Sequence, residues 1–174
     1  MIRLKKPAIL SKSVGIICID STADKIIEDF QARSIREVLS SNQEQQVEVI
    51  GWGRTRAFDF TGDIQDFGVA ETHLQTAPLI VVDNESCSQQ LSRLPNGNGN
   101  VRDDDQLCAK GLFRNQDSCK GDSGGPLFLH GPNNSALIQV GIVSYGPTNC
   151  GQGLPGVYTR IEHFIEWIKR NLKV

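Results

Sequence analysis

The stretch Asp117–Pro126 reads D-S-C-K-G-D-S-G-G-P, and the run that follows it, Leu127–Leu129, is apolar. Gly121, Gly124 and Gly125 carry no Cβ, so the backbone there can turn sharply and approach a ligand closely. Ser123 on such a turn can present its hydroxyl as a nucleophile, with neighbouring N–H groups aimed at an oxyanion. An ordinary Gly/Ser/Asp surface turn would have the same composition. Gly121–Gly125 also satisfies G-x-S-x-G, the signature of an elbow that joins a strand to a helix. Here the serine is followed by Gly124, Gly125 and Pro126 and then by a strand-like run. Pro126 disfavours helical geometry at Gly125, which excludes that elbow.

The rest of the chain agrees with a turn-rich β fold. It has 174 residues, the size of one domain or of one large lobe, and 39% are hydrophobic, enough to bury a core. Seventeen glycines and seven prolines are dispersed along it, which favours strands and turns over a helical bundle. A formal net charge of −2 gives no electrostatic case for nucleic acid. No stretch reaches transmembrane length, and Met1–Leu10 lacks the apolar run of a signal peptide. The five cysteines include no C-x-x-C pair, so no zinc site or other cofactor is expected. Two disulfides and one remaining thiol suit an oxidising compartment, and free buried thiols in a cytosolic protein are the alternative. Asn84-Glu85-Ser86 and Asn133-Asn134-Ser135 are glycosylation sequons.

Periodicity predicts a helix over 22–40 and a polar loop over 41–46. Strands are predicted at 47–52, 74–82, 107–110, 126–129, 136–145 and 157–161, with Pro78 marking an edge or a strand start. Loops are expected at 58–68 and 96–105, and a short helix over 86–94. Ile161, Phe164, Ile165, Ile168 and Leu172 recur at the spacing of an amphipathic C-terminal helix with one face on the body.

Taken together, these segments resemble the C-terminal half of chymotrypsin-family serine endopeptidases, in particular the trypsin-like branch and its clip-domain or cascade members. The motifs that carry the resemblance are V-I-G-W-G-R-T (49–55), E-S-C (85–87), L-C-A (107–109), D-S-C-K-G-D-S-G-G-P-L (117–127), V-S-Y-G (143–146) and P-G-V-Y-T-R (155–160). The implied fold is all-β: one of the two antiparallel six-stranded Greek-key barrels of that fold, plus the C-terminal helix. The implied roles are Ser123 as nucleophile and the N–H groups of Gly121 and Ser123 as oxyanion hole. Asp117, with Ser118 beside it, matches the base of the primary pocket, which implies cleavage of polypeptides after Arg or Lys. Gly146 and Gly156 match the pocket walls. Ser144 and Gly146 match the backbone that pairs with extended substrate. Tyr145 stands where the family usually has Trp. Asp122 matches the acid that binds the new N-terminal ammonium after zymogen cleavage.

The resemblance also implies the bridges Cys87–Cys108 and Cys119–Cys150. Val47 and Leu129 stand at the two positions of a further family bridge. Cys18 has no partner within the chain, and the resemblance implies a disulfide to an N-terminal light chain. The family's triad also needs a histidine and a buried acid. His73, His130 and His163 do not match the histidine segment, and each reads as an exposed polar residue. The resemblance thus implies that the first barrel, with the triad His and Asp, is largely missing. Asp122 is then without its ammonium, and the oxyanion loop is expected to be poorly ordered. The expectation is a secreted trypsin-like endopeptidase whose isolated chain does not catalyse. The alternative is a non-catalytic homologue that binds partners or regulates a cascade.

Overall fold

The computed structural model of the chain describes residues 2, 4–19, 46–54, 70–95, 99–131 and 137–172. The helix expected over 22–40, the loop over 58–68 and Asn133 lie outside the described residues.

Among the described residues, six strands and two helices follow one another: β1 (Gln46–Gly51), β2 (Gln75–Val82), α1 (Asn84–Ser92), β3 (Gln106–Gly111), β4 (Pro126–His130), β5 (Leu137–Tyr145), β6 (Gly156–Arg160) and α2 (Ile161–Leu172). The strands form a closed barrel in the order β1-β2-β3-β6-β5-β4, antiparallel throughout, with β4 returning to pair with β1. Alternation drives the closure. In β1 Val47 and Val49 point inward while Gln46 and Glu48 face out. Inward residues of all six strands, among them Leu79, Leu107, Leu127, Ile138, Val140 and Tyr158, make the core.

In β3 the alternation fails: Leu107, Cys108 and Ala109 are all buried. Helix α1 is the reason. It lies outside the barrel and covers Cys108, forming a second apolar cluster of Cys87, Leu91, Cys108 and Val157. Cys87 and Cys108 are joined by a disulfide. The helix starts at Asp83, whose carboxylate accepts from Ser86 N–H at 2.8 Å. Asn84 is buried, and its side-chain amide donates to the carbonyls of Arg102 (3.1 Å) and Gln106 (3.0 Å). That amide nitrogen is where a glycan would attach, so a glycan on Asn84 would break one of these two hydrogen bonds.

One expectation needs correction. Pro78 marks neither an edge nor a strand start; it lies inside β2, opposite Glu48 of β1, in a barrel that has no edge. Its carbonyl accepts from Leu112 N–H at 3.1 Å, just past the end of β3, so the N–H that proline lacks would point where β3 has already stopped. Helix α2 lays one face on the body, as its pattern predicts. Ile161 is buried, Phe164, Ile165 and Ile168 are half-buried, and Leu172 is exposed.

Val47 and Leu129 are both buried in the core. They lie one step along the register that pairs Glu48 with Phe128, so two apolar side chains face each other there.

Candidate active site

The 117–126 segment runs directly into β4, and backbone hydrogen bonds fix its shape. Asp122 N–H donates to Cys119 O (2.9 Å) and Gly125 N–H to Asp122 O (2.8 Å). Two further bonds tie the turn to β5: Gly124 N–H to Val143 O and Val143 N–H to Gly125 O, both 2.9 Å. Gly121 has φ +107°, a conformation that L side chains rarely adopt. A disulfide joins Cys119 to Cys150. The loop expected to be poorly ordered is thus held at both flanks.

Asp122 does much of that holding. Its carboxylate accepts from Gly53 N–H at 2.7 Å and from Cys119 N–H at 2.9 Å. The G-W-G turn must be glycine for this reason: a Cβ on Gly51 or Gly53 would fall 1.9 or 2.4 Å from the Asp122 side chain. Two backbone donors thus hold the Asp122 carboxylate.

Ser123 is exposed, and its hydroxyl makes no hydrogen bond among the described residues. The N–H groups of Gly121 and Ser123 likewise donate to no acceptor among the described residues. Two strong donors and a hydroxyl are therefore open on one turn.

Beside them is a cavity of about 360 Å³, lined by Asp117, Ser118, Ser123, Ser144, Tyr145, Gly146 and Gly156 among others. Asp117 Oδ2 accepts from Gly151 N–H at 2.9 Å, and Oδ1 is buried with no partner among the described residues. Burial pushes the Asp117 carboxyl up to about 6; backbone hydrogen bonds from Gly151 and Ser118 pull it down, and the charge of Asp122 raises it. Ser118 Oγ and the buried Tyr158 hydroxyl are 2.9 Å apart, and burial raises the Tyr158 pKa. Gly146 and Gly156 approach closely: a Cβ on Gly146 would sit 3.3 Å from Gly156 Cα.

Strand β5 carries a bulge where the register with β6 shifts between Val143 and Tyr145, leaving Ser144 without a cross-strand partner. Its exposed backbone borders the cavity. Sequence reasoning named Ser144 but not the bulge. It also passed over two cations lining the cavity, Arg54 and Lys120. Their signal was available in the basic residues of G-W-G-R and C-K-G-D.

None of the three histidines lines the cavity. His73 Nδ1 lies 3.1 Å from Thr72 Oγ1, and His163 meets the Phe164 ring edge-on. His130 is more than a free surface residue: its Nε2 is 2.6 Å from Glu48 Oε2. Cys18 is a free thiol at the start of β5, where its N–H donates to Leu137 O and its carbonyl accepts from Gln139 N–H.

The sequence matches the Trypsin family over residues 1–168. Similar proteins include melanization protease 1 of Drosophila melanogaster, 39% identical over 132 residues, or 74% of this chain and 29% of that protein. The phenoloxidase-activating enzyme of Bombyx mori is 34% identical over 174 residues, 99% of this chain and 35% of its own. Glucanase inhibitor protein 3 of Phytophthora infestans is 40% identical over 121 residues, 69% of this chain and 40% of its own. The closed antiparallel barrel and the match along nearly the whole chain define a chymotrypsin-type β-barrel protein. The chain belongs to the trypsin family of serine proteases. It spans between 29% and 40% of the length of these relatives.

Proposed function

We propose that this chain carries the serine half of a secreted trypsin-like endopeptidase site that cleaves polypeptides after Arg or Lys. One observation carries the reading. The exposed Ser123 shares a cavity with Asp117, a half-buried carboxylate whose buried Oδ1 has no partner among the described residues. A guanidinium or ammonium reaching Asp117 would satisfy that oxygen and set the preceding backbone against Ser123. The open N–H groups of Gly121 and Ser123 would then receive the carbonyl oxygen as it gains charge. The unpaired backbone at Ser144 and Gly146 would take the substrate as an added strand. The glycines at 146 and 156 leave the long basic side chain its path. Asp122 would hold the turn and receive the ammonium of an activated N-terminus, and the two disulfides fit secretion.

Among the described residues no histidine lines the cavity that holds Ser123. The base and its orienting acid would come from polypeptide outside these 174 residues, and Cys18 would offer a thiol to a light chain. The isolated chain is thus expected to hydrolyse no arginyl or lysyl peptide, yet to bind benzamidine, an amidinium that stands in for the arginyl side chain. Hydrolysis abolished by Ser123→Ala would overturn the first expectation. Absence of benzamidine binding would overturn the pocket assignment.

A second reading is favoured by a cavity whose lining holds no histidine and by the similarity to a relative named as an inhibitor. In that reading the chain binds a partner without cutting it. Supplying the expected histidine-bearing lobe in trans separates the two: recovered cleavage supports the protease, and tight binding of both lobes without cleavage supports the binding protein.

A further inference from the structure

The sequon Asn84-Glu85-Ser86 opens α1, and the candidate active site makes no use of it. Asn84 is only 8% exposed. Its amide nitrogen carries two hydrogens, and both are committed, to the carbonyls of Arg102 at 3.1 Å and Gln106 at 3.0 Å. Three residues on, Cys87 is bridged to Cys108, and Leu91 packs in the same buried cluster. The amide thus clamps the start of α1 to the segment that leads into β3, and the bridge fastens the middle of the helix to β3 itself. All of these partners lie later in the chain. The two carbonyls are 18 and 22 residues beyond Asn84, and Cys108 is 21 beyond Cys87. During synthesis the sequon is complete before any of the groups that bury it has been made.

An N-linked glycan forms when the amide nitrogen attacks the first sugar of an oligosaccharide carried on a lipid pyrophosphate. A bond forms between Nδ2 and sugar C1, and the bond from C1 to the pyrophosphate breaks. One amide hydrogen leaves as a proton, and the lipid pyrophosphate departs. The glycosylated amide keeps a single N–H. It can satisfy the carbonyl of Arg102 or that of Gln106 but not both, and a buried side chain has gained a bulky polar group. We propose that Asn84 accepts a glycan only while α1 is undocked, and that the glycan and the docked helix exclude each other. Closure of 102–108 onto α1 then competes with the transfer. A chain that bridges Cys87 to Cys108 first stays bare at Asn84, and a chain modified first is held open with both thiols free. This inference rests on the secretory route proposed above, not on the cleavage assigned to Ser123.

The test translates the full 174-residue chain behind a cleavable signal sequence in the presence of microsomes, with Ser135→Ala so that Asn84 alone is scored. A glycan shows as a mass shift that a peptide N-glycosidase removes, and alkylation with peptide mapping reads the state of Cys87 and Cys108. Under reducing conditions a glycosylated fraction is expected; under oxidising conditions most of it should be lost. Glycosylated chains should have both cysteines alkylated, and bridged chains should be bare at Asn84. Leu91→Asp, which removes an apolar contact of α1, should restore the glycan under oxidising conditions. A glycan on chains whose bridge is closed, or equal fractions in the two conditions, overturns the exclusion. Absence of a glycan in every condition, Leu91→Asp included, overturns Asn84 as a modification site. The added signal sequence makes the assay independent of the chain's own route, so a failure here leaves the secretory reading standing. Benzamidine binding, which tests the pocket, is likewise separate from each of these outcomes.

Discussion

Asp117 is an acid that folding makes harder to ionise, with its carboxyl pushed up to about 6 chiefly by burial. An acid whose folded pKa lies above its unfolded value binds its proton more firmly in the native state. Its contribution to stability is complete below the ordinary Asp value and is lost as pH rises through about 6. Asp117→Asn should therefore be more stable than the parent near neutral pH, by up to about 3 kcal/mol, with the difference gone below about pH 4. Urea melts of both proteins across that range check it. The same substitution should abolish benzamidine binding. In the parent that binding should tighten as pH rises through about 6, as the carboxylate forms. Gly121 makes a separate demand. With φ at +107° and Gly53 Cα 3.1 Å from where a Cβ would go, Gly121→Ala should lose about 1–2 kcal/mol. Urea melts measure the loss.

At the scale of elements, α1 shows how a disulfide changes a strand. The Cys87–Cys108 bridge and the Leu91 contact cover the outward face of β3, turning an alternating strand into one buried on both sides. Replacing both cysteines by serine should cost about 2–4 kcal/mol in thermal or denaturant unfolding. Peptide mapping without reductant should recover Cys87 with Cys108 and Cys119 with Cys150. The strands themselves were legible. Each holds a run of apolar or alternating residues, and the observed limits fall within one residue of those expected. What the local pattern lacked was anything non-local. Pro78 reads as an edge until β3 is known to stop beside it. The β5 bulge at Ser144 exists because β6 shifts against it, and one strand read alone cannot show that. The apolar stripe of α2 gives its helical period correctly but says nothing of how deep it sits. Among the site residues, Ser123 and Asp117 stand in a short recognisable segment. Arg54 and Lys120, distant in sequence, meet only because the G-W-G turn folds onto Asp122.

For the whole molecule, closure of the barrel decides where it is firm. Strand β3 is flanked by β2 and β6, carries the bridge to α1, and its Gln106 carbonyl accepts from both Asn84 and Arg160 side chains. Its amides should be among the slowest to exchange with deuterated water, opening only with global unfolding. Mass spectrometry or NMR over a time course would test this, and rapid exchange in β3 would contradict it.

The closing seam is different. β1 pairs along its full length with β2, whereas its register with β4 covers Glu48 with Phe128 and Val49 with Leu127, flanked by the Glu48–His130 contact. Both strands of that seam lead straight into the site: β1 ends at the turn that grips Asp122, and β4 begins where the serine turn ends. An opening at that seam would cost the serine turn its hydrogen bond to Gly53 N–H while leaving the β3 wall paired. A ligand that seals the seam would order the site without touching Ser123.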